Sequence, residues 1–258
     1  VLIEDWLLEL KSKASGKELS DDSKNKILMA MREIMGTAKR SGIIPNNPAK
    51  EVKLINAINK KRLPFTLEEL VQMFPRDEKE LLHIWGTRSW AVYFLVMRDT
   101  GFRPGEVAAL TRNSYMPEHR GIYSTQSVST PNKKVKNSIK TTSKGQPYKV
   151  GILTTQTIEQ LEKLLPTVDD MLFTVNGGPV YLDTANKHLR LSLARTKVPL
   201  LGRSQYGFRH AFETNLSGRI ENKLLLELMG HTSYRPEYDH RTPGRILEQL
   251  QPMVELID

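Results

Sequence analysis

The sequence predicts a mostly α-helical protein with a small antiparallel β-sheet, divided into two domains. Three observations lead there. Apolar residues recur at helical spacing through much of the 258-residue chain. Two stretches, residues 121–129 and 135–153, break that pattern and are rich in Ser, Thr, Val, Ile and Tyr, as strands are. A polar, basic segment from Asn56 to Arg62 reads as a linker between a helical front part and a larger remainder.

Residues 24–41 form an amphipathic pattern, with Ile27, Met31, Ile34, Met35 and Ala38 on one face. Ser20 suits the N-cap, Asp21 and Asp22 complement the helix dipole, and Gly42 suits the stop. A shorter helix over 2–14 carries Leu2, Trp6, Leu7 and Leu10, and Pro45-Asn46-Asn47-Pro48 breaks the chain. Beyond the linker, Thr66 with Glu69 has capping-box spacing and Phe65 with Leu70 suits the staple beside it. Residues 89–98 (SWAVYFLVMR) are apolar all round and predict a buried helix ended by Gly101, followed by a short helix over 104–112. The β-rich stretches, broken at Pro131-Asn132 and Lys144-Gly145, predict three short antiparallel strands. Helices return over 155–165, 181–194, 206–217, 221–229 and 243–255. The domain boundary falls near residue 60, giving 1–59 and 60–258.

Composition narrows the chemistry. Apolar residues make up 39% of the chain, enough for a substantial core. Lys and Arg number 38 against 29 Asp and Glu, a formal charge of +9, which favours a polyanionic partner such as nucleic acid. The chain has no cysteine, which excludes disulfides, thiol nucleophiles and Cys-ligated zinc. No apolar run approaches the roughly 20 residues of a bilayer span. His83, His119 and His188 stand isolated, and no metal-ligand spacing such as H-E-x-x-H occurs, so no metal is assigned. The first residue is Val and stands almost directly on a helical pattern, which suggests a fragment or a missing front.

Four short stretches carry the functional signal: TGFRPGEVAAL (Thr100 to Leu110), YGFRHAFETNL (Tyr206 to Leu216), LMGHTS (Leu228 to Ser233) and YDH (Tyr238 to His240). In this order they resemble the tyrosine recombinases, the phage-integrase family. Thr100, Gly101, Arg103, Glu106 and Leu110 match its first motif. Arg209, His210, Phe212 and Thr214 match the second, Gly230, His231 and Ser233 the third, and Tyr238 with His240 the last. AKRSGIIPNNP (Ala38 to Pro48) is similar to the end of the family's core-binding domain, and IKTTSKGQPYKVGIL (Ile139 to Leu153) to the hairpin that carries its catalytic lysine, with Lys140 at the matching position. The resemblance thus covers nearly the whole chain. It implies a helical, SAM-like core-binding domain over 1–59, its front part missing, and a tyrosine-recombinase catalytic domain over 60–258. Two positions depart from the family pattern. Tyr206 stands where the second motif usually has His, and a phenol, with an ordinary pKa near 10, is a poor base at neutral pH. The interval from His231 to Tyr238 is also shorter than usual, and Tyr234 competes as nucleophile. Tyr238 is preferred for its Y-x-H context.

What the resemblance implies is a site-specific recombinase or integrase that cuts and rejoins duplex DNA through a 3'-phosphotyrosine. Arg103 and Arg209 would clamp the scissile phosphate, since a guanidinium fork binds two phosphate oxygens and keeps its charge. His231 would add a hydrogen bond, Lys140 would protonate the leaving oxygen, and Tyr238 would attack phosphorus. Tyr206 would contact the phosphate, with Glu106 and His210 as supporting residues. No cofactor, ATP or metal is required. Lys60, Lys61 and Arg62 in the linker, and Lys133, Lys134 and Lys136 in a loop, are candidate backbone contacts. Expected partners are double-stranded DNA, three further copies in a tetramer on paired sites, and accessory DNA-bending or directionality proteins. The expected location is the cytoplasm, on the nucleoid, and the C-terminal helix (243–255) would dock on a neighbouring copy, packing on its own domain being the alternative. Two rival readings are a repressor that keeps the fold without the chemistry and a nicking–closing or telomere-resolving relative.

Overall fold

The computed structural model describes the chain except Val1, Ala14 and residues 57–62, 130–133, 142–146, 231–241 and 254–258. It divides into two compact units, Val1–Lys61 and Arg62–Asp258.

In the first unit, α1 (Leu2–Leu8) and α2 (Asp21–Arg40) pack around Leu7, Leu28, Ala49 and Val52. The Ser20 hydroxyl caps α2 by accepting from the Ser23 amide at 3.3 Å. Helix α1 is shorter than the periodicity predicts. After Leu8 the backbone pairs with itself instead, Leu19 N–H donating to the Leu10 carbonyl at 3.0 Å. The predicted buried face of α2 is also displaced: Leu28 is buried while Ile34 is exposed. The return segment explains this, because Arg32 donates to the carbonyls of Ala49 and Val52, and Asn47 to that of Arg32. These bonds draw residues 47–52 across one side of the helix only.

The second unit is built on α5 (Arg88–Thr100), whose residues Ala91 to Met97 are all buried. It packs against α7 (Thr155–Leu164) and α9 (Tyr206–Leu216). An aromatic cluster fills the core. Phe94 lies 4.5 Å from Trp85 and 5.5 Å from Phe208, whose ring stands 4.8 Å from Phe65. Helix α3 (Leu67–Met73) opens on the Thr66–Glu69 capping box. Helix α4 (Glu78–Trp85), which the periodicity did not reveal, spans only eight residues between the Asp77 cap and Gly86. Helix α6 (Pro104–Val107) is shorter than the predicted 104–112, because the following backbone is diverted to residues 170–172: Leu172 N–H donates to the Leu110 carbonyl at 2.9 Å and Arg112 N–H to that of Asp170 at 2.8 Å.

The β-rich region holds more strands than the three predicted. Strands β1 (Tyr115–Met116), β2 (Gly121–Ser124) and β5 (Lys149–Ile152) form an antiparallel sheet in the order β1-β2-β5, with Ile122 opposite Gly151. A separate ribbon pairs β3 (Ser127–Val128) with β4 (Val135–Lys136). Further on, β6 (Thr174–Val175) and β7 (Gly178–Pro179) form a hairpin across Asn176-Gly177, both at positive φ. The α8 (Leu182–Leu193), α10 (Asn222–Met229) and α11 (Pro243–Leu250) helices complete the unit. A second cluster joins β5, α9, α10 and α11 through Val150, Phe212, Leu228 and Leu247. Residues 243–250 pack on their own chain: the apolar face of α11 is buried against β5, and Leu247 fits where Gly121 leaves room. Among the described residues no helix is long and apolar enough to cross a membrane.

Candidate active site

The site begins where α5 stops. Gly101 takes the left-handed conformation, φ 60°, and ends the helix. A Cβ there would lie 2.5 Å from the Phe212 ring, so its lack of a side chain lets α9 approach. The chain then turns into α6 with Arg103 at the N-cap and Glu106 at the third helical position. The Glu106 carboxylate grips Arg103 twice: Oε2 accepts from the Arg103 amide at 2.8 Å and Oε1 from Nη1 at 3.0 Å. Backbone and guanidinium are therefore oriented by one buried acid.

Arg209 reaches the same place from α9. Its Nη1 donates to the Gly101 carbonyl at 2.6 Å and its Nη2 to the Met229 carbonyl. These carbonyls lie at the C-terminal ends of α5 and α10, where helix ends leave acceptors unsatisfied and the dipole is negative. Arg209 thus ties three helices together while presenting its charge to Arg103. Burial, together with Arg103, lowers its pKa to about 10, against the opposing pull of Glu106, Glu213 and Tyr206. It remains a cation at neutral pH.

A third cation, which the motifs did not single out, comes from the sheet. Lys149 opens β5 with its side chain wholly buried, and its Nζ donates to Glu106 Oε2 at 3.0 Å. Its ammonium also stands 6.0 Å from the Phe102 ring centroid. Burial lowers its pKa to about 7; Glu106 works against the fall, and Arg209 and Arg103 add to it. Burial likewise pushes the Glu106 carboxyl up, but Lys149, the Arg103 amide and the Arg103 guanidinium outweigh it and hold that carboxyl below its ordinary value. Among the described residues, three basic side chains thus gather around Glu106, with the half-buried Glu213 near Arg209.

Beside the cluster lies a cavity of about 200 Å³, and Arg103, Glu106, Lys140 and Tyr206 all line it. Lys140 is exposed, flanked by buried Ile139 and Thr141. Tyr206 opens α9 and is 38% exposed. The helix start beneath it is set by buried Gln205, whose Nε2 donates to the Leu182 carbonyl at 2.9 Å and whose Oε1 accepts from Tyr93 at 2.8 Å. Ser127 and Val128 of the β3–β4 ribbon form another wall, and Lys136 and Lys134 project from that ribbon and its approach. Gly230, left-handed at φ 63°, ends α10 against Thr141 and Lys149 and leads directly into residue 231.

Of the residues named from the sequence, the structure brings together Arg103, Glu106, Lys140, Tyr206 and Arg209. His210 is exposed on α9 and does not join the groups around Glu106. His231, Tyr234, Tyr238, His240, Lys60, Lys61, Arg62 and Lys133 lie outside the described residues. Among the described residues no group of three or more His, Asp or Glu side chains is placed to hold a metal ion. Lys149 gave little signal in the sequence: a lone lysine before Val-Gly-Ile-Leu reads as a strand edge.

No protein-family model matches the chain, and no curated protein matches it in sequence. Solved structures do match. The Tn1549 transposon integrase, in complex with transposon right end DNA, superimposes with a TM-score of 0.70 at 18% identity, over 99% of this chain and 84% of that one. A lambda integrase dimer bound to a COC' core site gives 0.59 at 14% identity, over 86% and 76%. The integrase from mycobacterium phage Brujita gives 0.52 at 14% identity, over 98% and 81%. The chain has the tyrosine recombinase fold, mostly helical with small antiparallel sheets.

Proposed function

We propose that this protein is a tyrosine site-specific DNA recombinase, an integrase of a phage or other mobile element. One observation carries the reading: Arg103 and Arg209, far apart in the chain, meet near Glu106 beside a cavity that Arg103, Lys140 and Tyr206 line. A phosphodiester is an anion of suitable size and geometry for such a cluster, and charge built up on its oxygens during displacement is what fixed cations stabilise. The structural likeness to integrases solved on DNA points the same way.

In this reading the Arg103 and Arg209 guanidinium groups bind the non-bridging oxygens. The Tyr238 oxygen attacks phosphorus and releases its proton to water, forming a 3'-phosphotyrosine. The bond to the 5' oxygen breaks, and that oxygen takes a proton from Lys140. Tyr206 donates a hydrogen bond from the cavity wall in place of the family's usual His, and His231 supplies another. A 5' hydroxyl from a second strand reverses the step, so the bond energy is conserved without ATP. Residues 1–59 act as the core-binding domain and 60–258 as the catalytic domain. Lys60, Lys61, Arg62, Lys133, Lys134 and Lys136 contact the DNA backbone, and four copies assemble on two sites, as a lambda integrase tetramer does on a Holliday junction.

The test is covalent selection. The protein is incubated with a pool of nicked duplexes of randomised sequence, and DNA that stays attached after denaturation is recovered. Wild type is expected to enrich a sequence and Tyr238→Phe to retain none. A wild-type protein that binds duplex DNA but forms no adduct would establish the repressor reading instead. Adducts that never join two sites would mark a nicking–closing or hairpin-sealing enzyme.

A further inference from the structure

We propose that Lys149 is a positioning residue of the cationic cluster: it acts on a bound phosphate through Glu106 and Arg103 without touching it. The inference rests on the reading above and adds a residue to it. The side chain of Lys149 has no exposed surface, so a ligand in the cavity cannot reach it, whereas that of Arg103 is 18% exposed and lines the cavity. Between them stands Glu106, 2% exposed, whose two oxygens serve Lys149 Nζ, the Arg103 amide and the Arg103 guanidinium together. A charged Lys149 holds this carboxylate from the strand side and leaves Oε1 to orient the guanidinium. If Lys149 loses its proton, Oε2 loses a charged donor and the carboxylate is free to swing toward the remaining cations.

Everything facing the Lys149 ammonium bears on its charge. Among the described residues, Glu106 favours the proton, while Arg103, Arg209 from α9 and burial oppose it, and the Phe102 ring and the backbone of Gly230 at the end of α10 lie close by. With its pKa lowered to about 7 in this setting, Lys149 holds its proton only partly at neutral pH. An incoming phosphate adds negative charge next to Arg103 and Arg209, relieves their repulsion of Lys149 and raises its pKa. Anion binding and protonation of Lys149 are therefore coupled, and by linkage each strengthens the other.

Two measurements test this. The first is the single-turnover rate of adduct formation on the selected duplex, followed against pH in wild type, Lys149→Met, Glu106→Gln and the double variant. Lys149→Met is expected to slow adduct formation at least about tenfold while the dissociation constant for the duplex changes less than about threefold. In the Glu106→Gln background the same change is expected to cost less than about twofold, because the path through the acid is already broken. The wild-type rate falls as pH rises through the pKa of Lys149, and Lys149→Met lacks that fall. Equal slowing in both backgrounds, a loss of affinity that matches the loss of rate, or an unchanged pH profile would overturn the proposal. The second measurement needs neither a variant nor catalysis. Binding of inorganic sulfate to wild type at pH 7.5, followed by calorimetry in two buffers of different ionisation enthalpy, is expected to take up a fraction of a proton. Sulfate binding without proton uptake overturns the coupling even where adducts form. Uptake in a protein that forms no adduct would keep the inference about the cluster and discard the recombinase reading.

Discussion

Arg209 holds helix ends together and, in the proposed function, also binds the phosphate. Its planar fork donates to the Gly101 and Met229 carbonyls through two separate nitrogens, where a lysine offers one ammonium on a flexible stem. Arg209→Lys keeps the charge and still leaves a buried acceptor unpaired, so the variant is expected to lose about 1–3 kcal/mol of stability, read as a drop in Tm. Adduct formation is expected to fall by about a hundredfold or more, because the remaining cation is misplaced in a site that works by preorganised charge. An Arg209→Lys protein with wild-type rate and Tm would show that the fork is not what matters. Tyr206 makes a milder case. Tyr206 lines the same cavity as Arg103, so Tyr206→Phe is expected to slow adduct formation about tenfold, the worth of one hydrogen bond, with Tm unchanged. These two residues were legible in the sequence because each sits in a motif. Lys149 was not, because nothing in the sequence near it says that residue 149 will meet Glu106.

At the scale of elements, the junctions decide the site. Gly101 ends α5, admits α9 and offers its carbonyl to Arg209. Gly101→Ala must accept a left-handed backbone with a Cβ 2.5 Å from the Phe212 ring. The variant is expected to lose more than about 1 kcal/mol, and Gly101→Ala with Phe212→Leu to recover part of it, both measured by denaturant unfolding. If Gly101→Ala unfolds like wild type, the close approach of α5 and α9 is not needed. Several elements were plain in the sequence: α2 with its Ser20 cap, the Thr66–Glu69 capping box, and the wholly apolar α5. The short elements were not. Helix α4, strand β1 and the β6–β7 hairpin have too few residues for periodicity to emerge; α4 is set by its Asp77 cap and the burial of Leu81, Ile84 and Trp85, whereas the strands exist because neighbouring backbone pairs with them. Helix α6 is short because residues 110–112 bond to 170–172 rather than continue the helix.

On the scale of the whole molecule, charge and docking matter most. A formal charge of +9 predicts binding to duplex DNA that weakens steeply with salt. Lys134 and Lys136 are exposed on and beside the ribbon that walls the cavity. Replacing both by Ala is expected to weaken binding evenly across sequences and to reduce the slope of log K against log salt by about 1 for each lysine. An unaltered slope would place these lysines away from the DNA. The C-terminal helix shows what its apolar pattern alone left open. Its apolar face was legible, but not the surface that receives it, and β5 with Gly121 supplies that surface within the same chain.

By itself the sequence determined the fold class, the absence of thiol chemistry, the basic character and the identity of two arginines. Each of these depends on residue type, local spacing or a short motif. Only the tertiary structure decided that Arg103, Lys149 and Arg209 surround one buried carboxylate, that Lys140 and Tyr206 open onto the cavity beside it, and that His210 faces away. The reason is that burial and electrostatics act through space: the pKa of Lys149 and the aim of Arg103 are set by groups brought in by a strand and three helices, whose separation along the chain says nothing of their distance.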